Sequence, residues 1–166
     1  MNKKEIELKF LVDEKFLREI VLKADHSYTI AQGYIGRSDN VRVRCVNENG
    51  ECSSCITLKG DRVGIVRDEF EYDIPYDEGI SMFNKLCGSV IVKTRYVIKH
   101  KKDKWEIDVF HGDNSGLIIA ELEIPQSDYD VKMPEWMTSW DEVSKDEKYY
   151  NSYLAKNPYI NWSKEK

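Results

Sequence analysis

The sequence predicts an α+β fold that is mainly antiparallel β, a closed or nearly closed barrel carrying appended helices. Three observations lead there. Charged and apolar residues alternate with a period of two in segment after segment, Gly and Asn mark short turns between them, and only three stretches have helical spacing. The first alternation falls within ten residues, where Glu5, Glu7 and Lys9 interleave with Ile6, Leu8 and Phe10. It returns as Arg42 and Arg44 about Val43, Glu69 and Glu71 about Phe70, and Lys93 and Arg95 about Thr94. Glu106 and Asp108 about Ile107, and Glu121 and Glu123 about Leu122, complete the set.

Residues 3–12 read as the first strand. Asp13 stands as N-cap to a helix over 14–24, where Phe16, Leu17, Ile20 and Val21 share one face. A strand over Tyr28–Ile35 follows. Val41–Asn47 and Ser54–Lys59 form a hairpin closed by Asn47-Glu48-Asn49-Gly50-Glu51, since Asn-Gly accepts positive φ. Residues 65–74 return antiparallel to 55–59 through Gly60–Gly64. A short helix runs from Asp77, its N-cap, to Leu86, with Gly88 just beyond. Three strands come next: Val90–His100, Lys104–Phe110 and Leu117–Pro125. Residues 126–140 read as irregular and 141–156 as a polar terminal helix.

Because side chains alternate faces along a strand, each charged set leaves its apolar partners on the opposite side. Ile6/Leu8/Phe10, Val41/Val43/Cys45, Ile56/Leu58, Phe70/Tyr72 and Leu122/Ile124 therefore face together, away from the charges. Helices 14–24 and 77–86 are expected to cover part of that apolar face. Trp136, Met137, Trp140 and Trp162 are expected to pack against it as well. The result is a barrel with charges inward.

A length of 166 residues without linker or composition shift gives one domain, 1–166. A net charge of −5 argues against a nucleic-acid or anionic-membrane surface, yet leaves room for an anionic small ligand in a basic cluster. Neither a leader-like segment nor a membrane-length apolar run is present, which points to the cytoplasm. Cys45, Cys52, Cys55 and Cys87 do not form a disulfide framework. The lone Cys52-x-x-Cys55 lacks the second ligand pair a zinc site needs, and His26, His100 and His111 are scattered.

A charge-lined interior is costly unless its groups are paired, hydrated or filled by a ligand. Carboxylates suit hard cations such as Mg²⁺, while Lys and Arg complement phosphate oxygens, Arg often through two parallel hydrogen bonds. The competing reading is a sandwich whose alternating charges simply face water.

The order of blocks then resembles a known family. Glu5-Ile6-Glu7-Leu8-Lys9 is similar to the N-terminal signature of the CYTH, or triphosphate tunnel metalloenzyme, superfamily. Gln32-Gly33-Tyr34-Ile35, Val41-Arg42-Val43-Arg44, Thr57-Leu58-Lys59, Glu69-Phe70-Glu71, Lys93-Thr94-Arg95-Tyr96, Trp105-Glu106-Ile107-Asp108, Ala120-Glu121-Leu122-Glu123 and a closing Tyr149-Tyr150-Asn151 follow as in its short bacterial branch. The resemblance implies an eight-stranded closed β-barrel, a triphosphate tunnel, with flanking helices and a C-terminal helix. It also implies hydrolysis of small-molecule triphosphates with Mg²⁺ or Mn²⁺, foremost tripolyphosphate to pyrophosphate and phosphate.

By the same resemblance Glu5, Glu7, Glu121 and Glu123 hold the metal, assisted by Glu71 and Asp108. Lys9, Arg42, Arg44, Lys59, Lys93 and Arg95 grip phosphates, and Tyr34 with Lys59 resembles a dyad tied to tripolyphosphate use. Glu5, Glu7, Lys9, Tyr34 and Lys59 are thus the implied catalytic set. Leu8 and Lys148 depart from the pattern, each standing where relatives commonly carry Arg. The alternatives are a nucleotide-directed enzyme, either an NTPase or a class IV adenylate cyclase, and a binding module without turnover. The resemblance calls for neither a nucleic-acid nor a membrane partner, and it leaves the oligomeric state open.

Overall fold

The computed structural model describes residues 6–37, 39–60, 68–126, 128–137 and 141–165. Its strands are β1 Ile6–Leu11, β2 His26–Ile35, β3 Val41–Glu48, β4 Glu51–Lys59, β5 Glu69–Ile74, β6 Cys87–His100, β7 Asp103–Phe110, β8 Ile118–Ile124 and β9 Asp141–Glu142. They pair in one antiparallel sheet, in the order β5-β4-β3-β2-β6-β7-β8-β1-β9. Asn49 at φ 53° and Gly50 at φ 91° make the β3–β4 turn, the positive φ that Asn-Gly supplies cheaply.

Helix α1, Leu17–Lys23, is shorter than the expected 14–24 because a 3-10 turn over Glu14–Phe16 precedes it. Asp13 does cap, accepting the Lys15 N–H at 3.0 Å. Helix α2, Tyr76–Leu86, follows Pro75 instead of starting from Asp77. Proline presets φ at −54°, and Asp77 and Glu78 then fall in the first turn, where negative charge suits the helix dipole. Gly88 does not end this helix; it lies within β6, which starts at Cys87.

The expected terminal helix over 141–156 is largely absent. Residues 141–142 form β9 on the edge of β1, a 3-10 turn covers Glu147–Tyr149, and only α3, Asn151–Lys156, is α-helical. The cause is long-range. The Val143 N–H donates to the Lys9 carbonyl at 2.8 Å, and the Lys9 N–H donates to Ser144 Oγ at 3.0 Å.

Register confirms the parity argument. Leu8 faces Leu122, Val43 faces Ile56 and Leu58 faces Phe70, while Glu7 faces Glu123, Arg44 faces Gln32 and Arg95 faces Asp108. On the apolar side Phe10, Trp105, Ile107, Ala120 and Leu122 form a core with Ile20 of α1 and with Trp136 and Met137. Trp140 lies outside the described residues.

On the other flank Gly79 of α2 sits on Ser54, whose hydroxyl donates to the carbonyls of Ile74 at 3.1 Å and Pro75 at 3.2 Å. A Cβ at Gly79 would stand 2.4 Å from Ser54 Oγ and 2.5 Å from its Cβ. Overpacking of this kind costs about 1–3 kcal/mol, against about 1 kcal/mol gained in helix propensity. Gly79→Ala is therefore expected to lower stability by up to about 2 kcal/mol, read as a reduced urea midpoint at unchanged slope.

Trp162 is not on that apolar face. It packs with Tyr149, Tyr153 and Tyr159 beside a second cluster of Ile91, Phe110, Leu117, Ile119 and Leu154. Ile91, Phe110 and Ile119 share the polar parity, so α3 is seated on one end of the charged face. Leu154 meets the cluster that Leu11 of β1 joins, and Lys156 pairs with Asp39 beyond β2 at 2.6 Å. Laid flat, β1 and β3 would be about 24 Å apart across five strand spacings, whereas a six-residue helix is about 9 Å long. The sheet must therefore curl around α3. Among the described residues the hydrogen-bonded ladder nevertheless stays open, with no pairing that joins β5 to the β1–β9 end. The closed ring of eight strands is thus not what the ladder displays. No helix of the described residues is long and apolar enough to cross a membrane.

Candidate active site

The polar face divides into two neighbourhoods. The first is built on β1, β6, β7 and β8, where Lys9, Lys93, Arg95, Glu106, Asp108 and Glu121 project from adjacent strands. Lys9 Nζ donates to Glu121 at 2.5 Å and also pairs with Glu7. Arg95 binds Asp108 through two N–H groups at 2.7 Å each, reaches Glu121 at 2.6 Å and pairs with Glu106. Lys93, wholly buried, pairs with Asp108 and lies 5.4 Å from the Phe110 ring centre. Glu7 and Glu123 face each other at the outer end. There a cavity of about 50 Å³ is lined by Glu7, Lys104, Glu106, Glu121 and Glu123.

Burial and the Glu121 charge push the Glu7 carboxyl up, against Lys9 and Arg95. Burial acts upward on Glu121 too, but Lys9, Lys93 and Arg95 hold it far below the ordinary carboxylate range. Burial also lowers the Lys93 ammonium, although Asp108 opposes that shift. Among the described residues, and leaving aside the exposed Lys104, this neighbourhood brings together Glu7, Glu106, Asp108, Glu121 and Glu123 with Lys9, Lys93 and Arg95. Carboxylates outnumber cations in it.

The second neighbourhood lies on β2 to β5. Tyr34 and Arg42 face each other, as do Arg42 and Thr57, Thr57 and Glu71, and Lys59 and Glu69. Arg42 donates to Thr57 Oγ1 at 3.2 Å, and Thr57 donates to Glu71 at 2.9 Å. The Arg42 ion pairs with Glu69 and Glu71 are loose, at 3.5 and 3.7 Å, and Lys59 takes Glu69 at 3.1 Å. Burial and the neighbouring Arg44 charge both lower the Arg42 guanidinium. The Nε donors of Arg42 and Arg44 are buried and find no acceptor among the described residues. Buried donors without partners are costly, so these two point to an anion.

The structure thus brings Lys9, Lys93, Arg95, Asp108 and Glu121 into one cluster, with Glu7 and Glu123 at its edge. Glu71 is placed with Arg42, Tyr34 and Lys59 in the other. Glu5 lies outside the described residues. Asp108 is enclosed by Lys93 and Arg95, so it serves those cations before any other partner. Among the described residues no three acidic, Cys or His side chains converge on a metal-sized point. Sequence reasoning passed over Gln32, Thr57, Glu106 and Asn151. The first three share the parity of their charged strand neighbours, a signal that was available. Lys148 stands 6.0 Å from the Trp162 ring centre. The four cysteines are free thiols, and Cys55 faces Arg44 on the polar side while Cys45 lies opposite.

The CYTH domain family model matches residues 3–150. An inorganic triphosphatase of Acetivibrio thermocellus is 40% identical over 162 residues, covering 96% of this chain and 97% of that protein. An inorganic triphosphatase of Nitrosomonas europaea is 31% identical over 155 residues, covering 91% and 96%. Among solved structures, the inorganic triphosphatase NE1496 superposes with a TM-score of 0.62 at 28% identity, covering 91% of this chain and 93% of the other.

Proposed function

Because the chain belongs to the CYTH domain family, we propose that it hydrolyses inorganic tripolyphosphate to pyrophosphate and phosphate on the polar face of its curled sheet. The observation that carries this reading is the pair of buried, acceptor-less Nε donors of Arg42 and Arg44 beside a carboxylate-rich cluster. One neighbourhood wants an anion and the next wants a cation. A metal–polyphosphate complex supplies both. The named activity of the Acetivibrio and Nitrosomonas relatives supports the same choice.

The donor set fits a hard divalent ion. Mg²⁺ and Mn²⁺ prefer oxygen ligands, and Mg²⁺ is usually held by one or two carboxylates with water and phosphate completing the shell. Glu7 and Glu123, opposed across β1 and β8 at the cavity, would hold it, with Glu121 lining the same cavity but turned to Lys9 and Arg95; Glu5 joins them by family resemblance. Asp108 and Glu71 assist through the cations they engage. When bound, the ion neutralises phosphate charge and lowers the pKa of an attacking water.

The rest is done by side chains. Arg42, Arg44 and Lys59 bind phosphate oxygens from one side, with Tyr34 packed beside them. Lys9 and Arg95, aimed by Glu121 and Asp108, bind from the other, and Lys93 fixes Asp108 behind them. Held between the two groups, the chain of phosphates is aligned for in-line displacement by water. The reading includes closure of the eight long strands into a tunnel; the curl demanded by α3 and the inward charges support it.

Phosphate release from tripolyphosphate and from ATP, each with Mg²⁺, Mn²⁺ or a chelator, tests the proposal. Tripolyphosphate is expected to be the better substrate, with no turnover under chelation. Cyclic AMP or ADP formed in preference would make this a nucleotide enzyme. Binding of both without turnover would sink the hydrolase.

A further inference from the structure

One contact to the buried cluster comes from outside the sheet. Asn151, at the start of α3, presents Oδ1 to the Lys93 ammonium at 3.4 Å. Lys93 has no exposed surface, and among the described residues it also meets the Asp108 carboxylate and the face of Phe110, with the Arg95 and Glu121 charges acting on it from further off. From Lys93 an unbroken line of charged hydrogen bonds leads outward. Asp108 holds Arg95, Arg95 holds Glu121, Glu121 holds Lys9, and Lys9 pairs with Glu7 at the cavity.

An ammonium carries three donors and no acceptor. In a buried, low-dielectric setting an unfilled donor is expensive. With Asn151 gone, the ammonium would draw more heavily on Asp108, the carboxylate that orients the Arg95 fork. Asn151 is meanwhile held by its own helix, independently of the site. Leu154 is fully buried in the apolar cluster, and Lys156 is tied to Asp39 at 2.6 Å. A group fixed from outside and aimed at a buried ammonium has the arrangement needed to set another residue's position.

We propose that Asn151 is a positioning residue of the hydrolytic site, fixing Lys93 and, through Asp108, the guanidinium of Arg95. It touches no substrate. The inference rests on the triphosphatase reading above and deepens it by making the C-terminal helix part of the site.

Steady-state hydrolysis of tripolyphosphate by the full chain decides the matter, using Asn151→Ala, Asn151→Asp and Lys156→Met. Asn151→Ala is expected to lower kcat about 10-fold or more, with KM changed by less than about threefold and the melting temperature near that of the wild type. Asn151→Asp keeps an acceptor of the same size and is expected to recover most of the loss. Lys156→Met loosens the far end of α3 without touching Lys93, and its kcat should stay close to wild type. If Asn151→Ala and Lys156→Met lose kcat alike and in step with melting temperature, Asn151 merely docks the helix and the proposal falls. It falls as well if Asn151→Ala keeps kcat within about twofold.

A second readout needs no turnover. The ammonium NMR signal of Lys93, sheltered from exchange, is expected to move or broaden in Asn151→Ala, and an unchanged signal overturns the proposal. A wild type inert toward tripolyphosphate would refute the triphosphatase reading, while the NMR signal would still judge the Asn151–Lys93 link.

Discussion

Asp108→Ala is expected to destabilise the protein by about 3–5 kcal/mol, the range seen when one partner of a buried ion pair is removed. Domains of this size are stable by about 5–15 kcal/mol, so the variant would stand close to unfolding. Asp108 and Lys93 are both wholly buried, and Arg95 is only 8% exposed. Without the carboxylate two cations remain beside each other, Arg95 keeping Glu106 and Glu121 while Lys93 has only the more distant Glu121 charge among the described residues. Glu121 is already engaged by Lys9, so it cannot replace the two 2.7 Å hydrogen bonds of the bidentate Arg95–Asp108 pair. Lys93 has one escape. Burial lowers its pKa, and losing its proton removes the charge while leaving a neutral amine in the core. That escape limits the loss without abolishing it.

The double variant Asp108→Leu with Lys93→Met separates charge from packing. Removing both partners and filling their volume is often neutral, so it should be markedly more stable than Asp108→Ala alone. Urea unfolding followed by circular dichroism measures both. A loss below about 1 kcal/mol for Asp108→Ala would mean that the buried pair is not what holds β6 to β7.

The same residues mark what the sequence could and could not convey. Strand parity was readable because it is local: Glu7-Leu8-Lys9 and Glu121-Leu122-Glu123 each declare two faces, and register then makes Glu7 meet Glu123. The Asn49-Gly50 turn was readable for the same reason, since its φ values follow from residue type. The segment after Asp141 was not. Its backbone bonds go to Lys9, more than a hundred residues away, and no spacing within 141–156 announces that partner. A weakly apolar stretch takes the structure its neighbour imposes. One signal was present but unused. Leu11, Ile91, Phe110 and Ile119 are apolar residues on charged parity, and they mark the end of the polar face that α3 covers. The site was legible as a list of charges, while their division into a carboxylate-rich and a donor-rich half required the fold.

Arg44→Ala tests that division from the functional side. It is expected to lower kcat/KM for tripolyphosphate about 10²–10³-fold, the cost typical of removing one preorganised donor to a developing negative charge. Stability should move little, or rise. Arg44 leaves its Nε without an acceptor among the described residues, and its charge acts against Arg42, whose guanidinium it helps to lower. Deleting it removes a buried unmet donor and a like-charge neighbour at once. Arg44→Lys restores the charge but not the planar fork, so it should recover only a small part of the activity. Asp108→Ala and Arg44→Ala are thus expected to differ in stability, the first losing it together with the aim of Arg95 and the second losing activity alone. Thermal melts run beside the kinetics distinguish them. An Arg44→Ala protein that melts early yet keeps kcat/KM within about threefold would place the phosphates elsewhere and make this arginine part of the scaffold.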